Sequence, residues 1–161
     1  MTQAPVKSEF VQFSPAHVAV IAVLFFLCIL LPAAVRHTRS SKLKRGICWG
    51  LVAVLLGGEW LKYVFTITHD GFEHFLQYAL PLHVCGIAVY LAAYMLITKK
   101  QVVFETVYFW ALGGTTQAIL TPAETAGFPS YYFFQFFIEH SAVIIAVFVA
   151  VFGLKMRPRL K

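Results

Sequence analysis

Leu80-Pro81-Leu82-His83-Val84-Cys85-Gly86 places a proline, a histidine and a thiol at the head of an apolar run that continues to residue 97. The run is long and has no acid or cation until Lys99, so it reads as a helix lying in lipid. Hydrocarbon offers polar groups no water to bond, so an ionisable side chain in such a helix is a functional candidate by default. Working outward, other misplaced polar residues (Glu59, Gln117, Glu139, His140) fall inside neighbouring apolar runs. The fold question is therefore how these runs are arranged, and the functional question is whether their polar groups meet.

There are five runs, at about 15–35, 46–68, 79–97, 102–120 and 131–154, each close to the ~20 residues that cross a bilayer. Composition agrees. Of 161 residues, 60% are hydrophobic and only 12% charged, with a mean hydropathy of +0.76. That much apolar surface exceeds what a soluble domain covers. The reading is an all-α, polytopic membrane bundle forming one domain over 1–161. The first run reads as a membrane span rather than a cleaved signal peptide: it lacks a basic leader, is long for one, and has its positive charge after it. Three cysteines without paired spacing indicate neither a disulfide framework nor a zinc finger. The sequence has no asparagine, hence no N-glycosylation acceptor. It also lacks a P-loop, a dinucleotide fingerprint and an H-E-x-x-H motif, and no cofactor or metal is expected.

The net charge of +6 is distributed by loop. Arg36, Arg39, Lys42, Lys44 and Arg45 follow the first run, Lys99 and Lys100 follow the third, and Lys155, Arg157, Arg159 and Lys161 follow the fifth. The loops after the second and fourth runs hold no Lys or Arg but carry Asp70, Glu73 and Glu124. By the positive-inside rule this alternation predicts five crossings, N-terminus outside and C-terminus in the cytoplasm. The cations are topology signals, so nucleic acid is not expected as a partner and membrane lipid is.

At ~1.5 Å per residue, His83 and Gln117 lie about one turn from the outer ends of their helices. Glu59, Glu139 and His140 lie two to three turns deep on the same scale. A charge facing lipid costs ~2.5 kcal/mol or more, so these groups are expected to face one another. Glu59 and Lys62, three apart, read equally well as a local ion pair. Gln117 reads equally as an interhelical hydrogen bond, and Gly57-Gly58 and Gly113-Gly114 as points of close helix approach. His83 and Cys85 are ~200° apart on a helix, so only one enters a shared site unless Pro81 distorts the start. A zinc site from His83, Cys85, Glu139 and His140 has suitable ligand types, but that angle argues against it.

Three ordered stretches, LPLHVCG at 80–86, FWALGGTTQAILTP at 109–122 and FPSYYFFQFFIEH at 128–140, resemble the YwaF-like bacterial integral membrane proteins. The resemblance extends over about 15–158 and implies a multi-pass protein of the bacterial plasma membrane. The YwaF-like family is in turn similar to a eukaryotic transmembrane acyltransferase that remodels ether phospholipids with a cysteine and a histidine. By motif position those roles fall on Cys85 and His140, with His83, Glu59, Gln117 and Glu139 in support. Family members continue with further apolar helices where this chain stops, so the expectation is either a pocket missing part of its wall or a bundle completed by a second copy or partner helices. Three functions compete: lipid acyl transfer or hydrolysis, a small-solute or ion transporter, and a non-catalytic membrane component. The inner halves of helices one, three and five are almost wholly apolar, which counts against the transporter.

Overall fold

The structure is a computed structural model and describes residues 9–80, 83–122 and 126–159. Among these residues the secondary structure is helical, with no strand and one isolated bridge, Glu9 to Ala126. The expected all-α class therefore stands. Three helices are long and apolar enough to cross a membrane: Pro15–His37 (α1), Ser41–His69 (α2), and Tyr131–Phe148 (α7) with its π-helical continuation Val149–Gly153. The third run is a shorter helix, Val84–Thr98 (α4). The fourth run is a rod of three pieces, Gln101–Trp110 (α5), a π-helical segment Ala111–Thr115, and Thr116–Leu120 (α6).

Helix starts are set by short polar side chains. Ser14, Ser40 and Ser130 each accept a backbone N–H three residues on, capping α1, α2 and α7. Pro15 follows Ser14 at the first helical position, where its missing N–H costs nothing. Two boundaries differ from expectation. α2 begins at Ser41 rather than 46, because the Ser40 cap draws Lys42, Lys44 and Arg45 into its first turns. The basic loop thus shrinks to three residues, Thr38–Ser40. The acidic connection after the second run is helical too, as Phe72–His74 (α3) and a π-helical turn, Phe75–Ala79.

α7 forms the centre. Its membrane-length window is 67% buried against 17% for α1, so α7 is enclosed by protein while α1 leaves most of its apolar surface for lipid. α7 packs against α1, α2 and α4, and α2 packs along α4. Gly153 sits where α1 leaves no room for a side chain: a Cβ there would lie 3.0 Å from the Val35 side chain. The expected close approaches at Gly57-Gly58 and Gly113-Gly114 are absent, since a Cβ at any of them would meet nothing within 4 Å. These glycines look outward from the bundle.

The first run is tied down at its start by His17, which is fully buried. Its Nε2–H donates to the Ile119 carbonyl at 2.8 Å, and its Nδ1 accepts from Phe13 N–H at 3.0 Å. Both ring nitrogens are satisfied, so His17 is a neutral structural histidine. It sits in the first run without being a candidate above, and only a partner 102 residues away reveals its role.

Candidate functional site

Glu59 and Lys62, one turn apart on α2, both point inward and are buried. Lys62 Nζ lies 2.5 Å from Glu59 Oε2 and 3.8 Å from Glu139 Oε1 on α7. Glu139 Oε2 accepts from Gln135 Nε2 at 2.7 Å. The expected local ion pair is present, and the same ammonium also reaches a carboxylate on a second helix. Glu59 Oε1 and Glu139 Oε1 have no hydrogen-bond partner among the described residues. In a low-dielectric interior such oxygens carry a full desolvation cost, and the Lys62 ammonium is what offsets it.

His140, the next residue on α7, is also buried. Its Nδ1 lies 2.8 Å from the Phe136 carbonyl one turn back, and its ring stacks on Phe136 at 4.2 Å between centroids. A carbonyl can only accept, so Nδ1 carries a proton, and in the neutral ring Nε2 is the nitrogen with the free lone pair. The group that orients the imidazole is thus a backbone carbonyl of its own helix. Among the described residues Glu59, Glu139 and Gln117, expected in support, make no hydrogen bond to the ring.

His83 is the N-cap of α4 and not part of the helix. Its Nδ1 accepts the Gly86 N–H at 3.1 Å, which leaves the proton on Nε2. The ~200° separation from Cys85 applies to two residues within one helix and so does not hold here. Pro81, invoked above as a source of distortion, lies outside the described residues. Cys85 is half-buried in the first turn of α4, and its thiol is free. His83 lies in the field of Lys62 and Glu59, Cys85 in that of Glu139 and Lys62, and His140 in that of His83 and Lys62. Glu59 and Glu139 thus meet at the Lys62 ammonium, and His83, Cys85 and His140 lie within its electrostatic reach. Among the described residues no hydrogen bond joins Cys85 Sγ to His140.

Gln117 stands apart. It is exposed, and its amide donates to Thr121 on the same helix at 2.5 Å. A π-helical turn holds more residues than an α-turn, so Ala111–Thr115 rotates everything after it by ~100° from the α-helical expectation. Lys62 was the member that sequence reasoning undervalued. Its signal was its solitude: it is the one cation within the apolar runs. Among the described residues no group of three or more His, Cys, Asp or Glu is disposed to hold a metal ion.

On the side of α7 facing α1 runs a groove of about 980 Å³, walled mainly by apolar side chains such as Val20, Leu24, Phe134 and Ile145. None of the cluster residues lines it. The sequence model of the TMEM164 family matches residues 12–161. No curated protein and no solved structure matches the chain.

Proposed function

Because the chain belongs to the TMEM164 family, a family of transmembrane proteins, we propose that it is a multi-pass cell-membrane protein whose polar cluster performs cysteine-dependent acyl transfer or hydrolysis on lipid esters. The five crossings, N-out and C-in, remain the topology that the loop charges favour. The observation that carries the chemical reading is the locked tautomer of His140. With Nδ1–H held by the Phe136 carbonyl, the neutral ring presents Nε2 as its base, in a cluster that also contains a free thiol.

In this reading His140 Nε2 takes the Cys85 thiol proton, and Sγ attacks the ester carbonyl of a lipid. The tetrahedral adduct collapses, the C–O bond breaks, and His140 returns the proton to the departing alkoxide. The resulting thioester is then opened by water or by the hydroxyl of a lysolipid, whose proton passes to His140 and on to Sγ. Donors for the transient oxyanion come from the start of α4. The first intrahelical bond there is Ile87 N–H to the His83 carbonyl, so the Val84 and Cys85 amides precede the ladder. His83 Nε2–H is a further donor.

A second reading, a non-catalytic component, draws support from a specific observation: the Lys62 bridge ties α2 to α7, and Cys85 has no bond to His140. The two part in a fluorescent acyl-lipid assay on liposome-reconstituted protein. The enzyme reading expects Cys85→Ser and His140→Ala each to lower turnover by ~10² or more. It also expects an acyl-directed cysteine probe to label Cys85 over Cys28 and Cys48. Equal turnover in all three proteins, without selective labelling, leaves the cluster as a helix lock.

A further inference from the structure

At the basic end of the bundle, between the first turns of α2 and the last turn of α4, lies a separate cavity of about 320 Å³. Lys44, Arg45 and Lys99 line it, and none of its lining residues is acidic. The remaining wall includes Trp49 and Ile97, with Cys48 buried at its side. α4 ends in a left-handed turn at Lys99 (φ 55°), closed by its N–H to the Met95 carbonyl at 2.8 Å. That turn stops the helix level with the start of α2. α2 has 29 residues and is ~43 Å long, against a hydrocarbon layer of ~30 Å, so its first turns extend into the headgroup layer.

Three cations over an apolar wall, at headgroup depth, match an amphiphile with an anionic head and a hydrocarbon start. We propose that this cavity binds the phosphate of an anionic glycerophospholipid, with the glycerol and first methylenes against Trp49 and Ile97. Basic pockets between membrane helices on the cytoplasmic side take such headgroups. Lys44 and Arg45 come from one helix and Lys99 from another, so an occupied site would also bridge α2 to α4 at the end opposite His83. The inference is independent of the chemistry at Cys85 and His140.

Cys48 provides the readout. The full chain is reconstituted in vesicles of phosphatidylcholine alone or mixed with phosphatidylglycerol. Alkylation of Cys48 by a membrane-permeant maleimide is followed by peptide mass spectrometry, with Cys28 on α1 as the reference within the same molecules. Phosphatidylglycerol should slow Cys48 labelling and leave Cys28 unchanged. Neutralising a cation near an anionic lipid costs about fivefold in apparent affinity, so Lys44→Gln/Lys99→Gln should weaken the protection about 25-fold. Lys42→Gln/Lys100→Gln removes the same charge from the same end but outside the cavity, and should retain it. Equal loss in both pairs would make the effect a diffuse surface attraction and overturn the site. Protection by inorganic phosphate in pure phosphatidylcholine would make it a free-anion site, and unchanged labelling with phosphatidylglycerol would leave it without a lipid. If the cavity pair fails to fold, the wild-type arms still decide.

Discussion

Lys62 is the residue on which the polar interior depends. Its ammonium faces Glu59 of its own helix and Glu139 of α7, and three of their carboxylate oxygens have no hydrogen bond among the described residues. Removing one partner of a buried ion pair typically costs ~3–5 kcal/mol, because the charge left behind is stranded. Lys62→Met is expected to destabilise the protein by that order in detergent unfolding titrations. Adding Glu59→Gln and Glu139→Gln should recover most of the loss; if it does not, the ammonium acts through packing of its stem. The identity of the polar residues was legible in sequence because each breaks an apolar run. Their roles were not. Nothing in a hydropathy pattern says that His83 caps α4 instead of lying within it, or that the Phe136 carbonyl fixes the His140 tautomer. Both depend on where a helix begins and how one rotamer turns.

Elements were legible by length and composition, and mis-set by local backbone chemistry. Serine caps moved helix starts, and π-helical turns rotated faces without altering hydropathy at all. The glycines show this best. Gly57-Gly58 and Gly113-Gly114 have the small-residue look of a helix contact, yet the contact is at Gly153, where π-helical backbone meets Val35. Val35 is completely buried and β-branched, so it has little freedom to yield. Gly153→Val should cost ~1–3 kcal/mol by overpacking, and Gly153→Ala less, measured as loss of thermal stability. Gly57→Ala, with open space around it, should be neutral or gain up to ~1 kcal/mol from helix propensity. Equal effects at both positions would mean that the α1 contact is not under load.

At the scale of the whole molecule the loop charges make a sharp statement about orientation. A C-terminal reporter that works only in the cytoplasm should be active, and one inserted after Asp70 should be active only outside; the reverse pattern would refute the five-crossing topology. Non-basic ends are also stitched together, by a hydrogen bond from the Tyr132 hydroxyl to Asp70. The attachment of His17 to the Ile119 carbonyl, with a sequence separation of 102 residues, bears on biosynthesis. At ~5–20 residues per second a ribosome needs roughly 5–20 s to deliver that acceptor after His17 has emerged. α1 also rests on Val149–Gly153, made later still. During that interval the His17 ring lacks the Ile119 carbonyl that it bonds in the finished fold. α1 therefore reaches its final packing only after α7 and its continuation have been made.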